Sequence, residues 1–193
     1  MNICIYGASS TIIDKSYIEA GENLGKLMAE RHHNLVFGGG ASGLMGAVAR
    51  GIDSVGGSEI IGIAPSFMNV DGILYENCTS FIYSETMRER KKLMDDNSDA
   101  FIVTPGGIGT FDEFFEILTL KQLGRHNKPI AILNTNGYYD HLKNFLQNSI
   151  NEKFMSSECN KLIHFAEDPA EIINYIENYT PEANSITQFK SIK

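Results

Sequence analysis

Short apolar runs recur along the chain at Asn2 to Tyr6, Asn34 to Phe37, Glu59 to Ala64, Ser80 to Tyr83, Asp99 to Thr104 and Pro129 to Leu133, each the length of a strand. Between them the apolar positions move to helical spacing, over Asp14 to Arg31, Leu44 to Val55, Glu85 to Asn97, Thr110 to Leu123 and Tyr138 to Ser149. Strand alternating with helix predicts an α/β fold, a doubly wound parallel sheet with helices on both faces. Glycines gather past three strand ends, at Gly7, at Gly38 to Gly40 and at Gly106 to Gly109, where such a sheet opens its ligand crevice. After about Asn151 the pattern thins to a strand at Leu162 to Phe165 and a helix at Asp168 to Ile176. No repeat, low-complexity block or linker divides the chain, so residues 1–180 are expected to form one domain and 181–193 a polar tail.

Composition narrows the partners. Across 193 residues, 42% are hydrophobic, enough for one substantial core. Acidic residues outnumber basic ones by 24 to 16, a net charge of −8 that argues against a long nucleic-acid or anionic-membrane footprint. The apolar runs are strand-sized, far short of the roughly 20 residues a membrane helix needs. The chain enters a core strand within a few residues of Met1, with no basic leader and long apolar region, and reads as cytoplasmic. Cys4, Cys78 and Cys159 are widely spaced and lack a CxxC pair, so they suggest neither a disulfide framework nor a zinc site.

Two glycine loops carry the candidate chemistry. Gly38-Gly39-Gly40-Ala41-Ser42-Gly43 fits GxGxxG between a strand and a helix. It follows the second strand, however, and Glu59 opens its strand where a ribose-binding acid should close one, which makes it a poor dinucleotide fingerprint. A tight turn and a close approach to phosphate both remain open. Pro105-Gly106-Gly107-Ile108-Gly109-Thr110-Phe111-Asp112-Glu113 also stands at a helix start, where free N–H groups and the helix dipole attract anions. It lacks the lysine of a Walker A loop, so a nucleoside triphosphatase is not expected. Thr110 and Glu113 have S/T-x-x-E spacing, which predicts a capping box. That position would lower the Glu113 pKa and keep the carboxylate ionised, as suits a base or electrostatic stabiliser.

The segment Met87-Arg88-Glu89-Arg90-Lys91-Lys92-Leu93-Met94 looks like a solvated charge run. Helical spacing instead places Met87, Arg90, Lys91 and Met94 on one stripe, with Arg88 and Lys92 on another. A buried-facing arginine needs an anionic partner, and a phosphate or a carboxylate such as Glu113 would serve. The five histidines, His32, His33, His126, His141 and His164, lie outside these motifs.

Taken together, three segments resemble the Lonely Guy family, long described as possible lysine decarboxylases. Its PGGxGTxxE signature is met by Pro105 to Glu113, its MxxRK pattern by Met87, Arg90 and Lys91, and its GGGxxGLMG segment by Gly38 to Gly46, in agreement across roughly residues 1 to 150. The first loop departs, reading Tyr6-Gly7-Ala8-Ser9-Ser10 where many relatives carry Cys-Gly-Ser-Ser. The resemblance implies a Rossmann-like homodimer, without metal or redox cofactor. Such a dimer cleaves adenosine-type nucleoside 5′-monophosphates, cytokinin ribotides included, into free base and ribose 5-phosphate. By motif position Glu113 is the catalytic carboxylate and Arg90 its basic partner, with Lys91 and Met87 alongside on the substrate. Gly106, Gly107, Gly109 and Thr110 hold the phosphate, and Gly39, Gly40 and Ser9 line the crevice. A second reading stays open, since related proteins carry or sense nucleotides or a molybdenum cofactor without turnover. A pyridoxal-phosphate decarboxylase fares worst, because nothing marks a Schiff-base lysine with a partner for the pyridinium nitrogen.

Overall fold

The computed structural model describes residues 1–181 and Phe189. Among the described residues, seven strands, β1 (Asn2–Tyr6), β2 (Asn34–Phe37), β3 (Ile60–Pro65), β4 (Ser80–Ser84), β5 (Ala100–Val103), β6 (Ile130–Leu133) and β7 (His164–Ala166), alternate with α-helices except between β3 and β4, which a 3₁₀ turn at Ser66–Met68 and a loop connect. The helices are α1 (Lys15–Glu30), α2 (Gly43–Val55), α3 (Met87–Asp96), α4 (Ile108–Gln122), α5 (Asp140–Asn151) and α6 (Pro169–Glu177). All strands run parallel in the order β4-β3-β2-β1-β5-β6-β7. The expected doubly wound sheet is therefore present.

Each covered strand is an almost unbroken apolar run because both of its faces are buried. On one face Ile3, Ile5, Leu35, Phe37, Ile102 and Leu133 meet α1, α2 and α6. On the other, Cys4, Tyr6, Val36, Ile63, Phe101 and Val103 meet Met94 of α3 and Phe114, Ile117 and Leu118 of α4. Of the expected polar tail, only Pro181 and Phe189 lie among the described residues, and Phe189 is buried in this second cluster. None of the described helices is long and apolar enough to cross a membrane.

Helix starts follow side-chain capping: Asp14 accepts from the Ser16 N–H, Asp168 accepts from Ala170 ahead of a proline in the first turn, and Thr86 accepts from Glu89. The strand order reverses between β1 and β5, which places the crevice outside their carboxyl ends. The loops after β1, β2 and β5 all open there. They are knitted together by Ala8 N–H donating to Pro105 O (3.1 Å) and Met45 N–H donating to Ala8 O (3.3 Å).

Candidate functional site

The site grows from the start of α3. With Thr86 as N-cap, Arg90 falls one turn into the helix and Met94 one turn later, on the side that meets the sheet. Met94 is fully buried, Arg90 is 7% exposed, and Met87, at the first position of the helix, is exposed. The Arg90 guanidinium is held from three directions. It pairs with Glu113 Oε1 of α4 at 2.9 Å, and its Nε donates to Ile63 O at the end of β3 (3.1 Å). On the third side lies Gly38, where an added Cβ would sit 2.1 Å from Arg90 Nη2. Gly38 therefore makes room for the guanidinium, a role that the glycine-loop pattern did not single out.

Two expectations for Glu113 are corrected here. The helix begins at Ile108 with Gly107 as its N-cap, so Thr110 is already inside the first turn and Glu113 is one turn further in, bonded to Arg90 and not to a cap. The Thr-x-x-Glu capping arrangement occurs on α3 instead, where Thr86 accepts from Glu89 N–H and the Glu89 carboxylate accepts from Glu85 N–H. Nor is the Glu113 carboxyl lowered. It is 8% exposed, and burial pushes its pKa above the usual 4.5 despite the opposing pull of the Arg90 charge.

Lys91 lies beside this pair and bonds to carboxylates on α4, Asp112 (2.9 Å) and Glu116. Burial pulls its ammonium down, and the hydrogen bonds to Glu116 and Asp112 more than offset that, leaving it above the ordinary value. Two cations of α3 are thus tied to carboxylates of α4. Asp112 is an exposed partner of Lys91 rather than of Glu113, in keeping with the angle between consecutive helical residues.

At the N-terminus of α4, Gly106 is flush against Thr110, since a Cβ there would lie 2.1 Å from Thr110 Oγ1. Gly107 and Gly109 have no atom within 4 Å of where a Cβ would stand, so their backbone is open to a ligand. Helix geometry leaves the first N–H groups without intrahelical acceptors, which makes this an anion cradle. Ser9 is exposed on the neighbouring loop, and the N-terminus of α2 nests against that loop's backbone at Gly43. The Gly39–Gly40 loop is covered by residues 73–75: Tyr75 N–H donates to Gly39 O (2.8 Å), Ala41 N–H donates to Ile73 O (2.9 Å), and Gly40 bridges Leu74 antiparallel. Gly39 holds φ +75°, and Phe81 occupies the space a side chain would need. The expected site residues thus fall at one end of the sheet, with the Arg90–Glu113 pair at the centre, Lys91 beside it on its own carboxylates, and the glycines around them.

Two tyrosines also belong here, though no motif marked them. Tyr138 Oη donates to Gly106 O (2.7 Å) and Tyr139 Oη donates to Thr104 O (2.8 Å). The expected helix from Tyr138 starts at Asp140, because residues 135–137 form a 3₁₀ turn that aims both rings at the loop after β5.

Comparison with known proteins places the chain in a family. A family model described as possible lysine decarboxylase matches residues 45–176. The chain is 37% identical over 180 residues to cytokinin riboside 5′-monophosphate phosphoribohydrolase LOG2 of Arabidopsis thaliana, covering 93% of this chain and 84% of that protein. It is 37% identical to LOG7 of the same plant over 185 residues, 96% of this chain and 85% of that one. In three dimensions it is similar to a molybdenum cofactor binding protein of Rippkaea orientalis, with TM-score 0.70 and 21% identity over 91% of this chain and 94% of that one. That likeness shows the shared fold.

Proposed function

Because the chain belongs to the Lonely Guy family of cytokinin riboside 5′-monophosphate phosphoribohydrolases, we propose that it hydrolyses the N-glycosidic bond of purine nucleoside 5′-monophosphates, releasing free base and ribose 5-phosphate. The buried Arg90–Glu113 pair beside an open helix N-terminus carries this reading. A phosphate held by the backbone donors of Gly107, Gly109 and Thr110 fixes the ribose at one end. As the base departs, the ribose carbon gains oxocarbenium character. An ionised Glu113 stabilises that charge and orients or deprotonates the attacking water. Arg90 keeps the carboxylate charged against the cost of burial and holds it in place. Lys91, tied to Asp112 and Glu116, keeps α3 and α4 in register so that Arg90 reaches Glu113. Met87 and Ser9 form the rim, and Gly39 and Gly40 lie behind it, beneath residues 73–75. The unpaired Cys4, Cys78 and Cys159 suit a reducing, cytoplasmic compartment.

The enzyme acts as a homodimer in this reading. Ile108 is 87% exposed, and with Phe111, Phe115 and Leu120 it lines an apolar hollow of about 540 Å³ along α4. A second copy of the chain would cover that face. Sedimentation at micromolar concentration should give a dimer, and a monomer would count against it.

The test of the activity is release of base. Purified protein is incubated with AMP, other nucleoside monophosphates and isopentenyladenosine monophosphate, and base is resolved from nucleotide by chromatography. Release by wild type and not by Glu113→Gln establishes the reaction. Nucleotide binding without release would leave a carrier or sensor.

A further inference from the structure

The loop after β5 is locked from behind by hydroxyl groups. Tyr138 and Tyr139 are consecutive, yet both donate to carbonyls of one loop, Gly106 O at 2.7 Å and Thr104 O at 2.8 Å. Their own turn is firmly held: Asn134 Oδ1 accepts from Tyr139 N–H (2.6 Å), Asn134 Nδ2 donates to Asp140 (2.8 Å), and Asn136 Nδ2 donates to Ser16 at the start of α1 (2.8 Å). The Tyr138 ring is set edge-on to Tyr139 at 4.9 Å and to Tyr17 at 6.1 Å, which aims its hydroxyl.

The bond to Gly106 O has a directional consequence. In a planar trans peptide the C=O and the next N–H point in opposite directions. The Gly106 carbonyl faces Tyr138, so the Gly107 N–H of the same peptide unit faces the other way. Gly107 is the N-cap of α4, its N–H is among the donors that helix geometry leaves free, and the space over its α-carbon is open. A peptide unit flanked by two glycines meets little steric resistance to flipping. In the flipped state a carbonyl oxygen would replace the N–H and repel a phosphate.

We propose that Tyr138 is a positioning residue that fixes the Gly106–Gly107 peptide with its N–H toward a bound phosphate, so that affinity for the phosphate group depends on a hydroxyl on the far side of the loop. The proposal rests on the nucleotide-binding reading above and adds a residue to it. Tyr139, fully buried, anchors the same loop one peptide earlier.

Tyr138→Phe tests this, since it deletes one oxygen from a residue 41% exposed and keeps the ring contacts. Dissociation constants for AMP, inorganic phosphate and adenosine are measured by calorimetry, alongside kcat and KM for AMP and the thermal midpoint. The expected result is about tenfold weaker binding of AMP and of phosphate, the scale of one lost hydrogen bond, with adenosine binding and the midpoint unchanged and KM raised by the same factor. Unchanged AMP affinity, or equal losses for AMP and adenosine, would overturn the proposal. Wild type that binds AMP and releases no base removes the hydrolase reading and leaves this one to be decided by the binding constants. Wild type that binds neither AMP nor phosphate overturns both.

Discussion

On one face of the sheet, α1 and α2 cross so closely that their backbones touch: a Cβ at Gly25 would lie 2.1 Å from Val48 O, and one at Gly51 2.2 Å from Glu22 O. Leu24, Met28, Val48 and Ile52 close around that crossing, and the ion pair there, Glu22 with Arg50, stays at the exposed margin. On the other face α3 and α4 meet through Arg90–Glu113 and Lys91 with Asp112 and Glu116, and the glycine beside them, Gly38, makes room for a guanidinium. The first arrangement gains close packing and apolar burial. The second removes two charges from water, which costs several kcal/mol per ion before their attraction is counted. A pair held under those terms contributes weakly to stability, and the proposed mechanism gives it a use beside the start of α4. Glycine therefore allows close helix packing on one face and makes room for an ion pair on the other.

Substitutions on the charged face should all act on turnover, and on stability as well where a buried charge loses its partner. Glu113→Gln is expected to lower kcat for AMP by about 10³-fold with AMP binding retained, because in the proposed mechanism the carboxylate acts at the reacting carbon and the phosphate is held elsewhere, at the start of α4. Arg90→Ala should raise KM, lower turnover and destabilise the fold by about 3 kcal/mol in denaturant unfolding, since it strands Glu113 as a buried carboxylate without its partner. Unaltered kinetics in that variant would remove Arg90 from the mechanism. Gly38→Ala should displace the guanidinium and lower kcat/KM by about 10²-fold, the scale of an ångström-sized misplacement.

The apolar face predicts the reverse. Gly25→Ala forces α1 away from α2 and should lower the unfolding free energy by about 1–3 kcal/mol, while kcat and KM at the site on the other face stay as in wild type. A kinetic defect as large as that of Gly38→Ala would mean that the two faces are coupled and that the contrast between them fails.

The fold was legible because strand and helix periods alternate cleanly and each buried strand reads as an apolar run. Arg90 and Lys91 were visible as cations sharing a stripe with Met94. What spacing misplaced was the start of α4. Thr-x-x-Glu resembles a cap wherever it falls, and only the backbone shows that Gly107 caps the helix, leaving Glu113 a full turn inside and buried. The error reversed the expected pKa direction. Gly38, Tyr138 and Tyr139 were illegible for a different reason: each matters through a contact with residues more than 30 positions away in sequence, and no local pattern encodes such a meeting.

The smallest expected effect separates stability from activity at a single carboxyl. Burial raises the Glu113 pKa above 4.5, with Arg90 pulling against it. Between its unfolded and folded values the native chain holds more proton than the unfolded chain, so stability attributable to Glu113 is fully present below about 4.5 and declines as pH rises through the folded value. The decline is at most about 1.4 kcal/mol for each pH unit crossed inside that window. Glu113→Gln lacks this titration, so the wild-type minus variant difference in unfolding free energy should fall across the same range. Turnover should climb there if the ionised carboxylate is the working form. Opposite slopes would mark Glu113 as a base or electrostatic stabiliser whose charge is maintained against burial. A rate that falls together with stability would make the protonated form active, and Glu113 would then be the proton donor to the departing base.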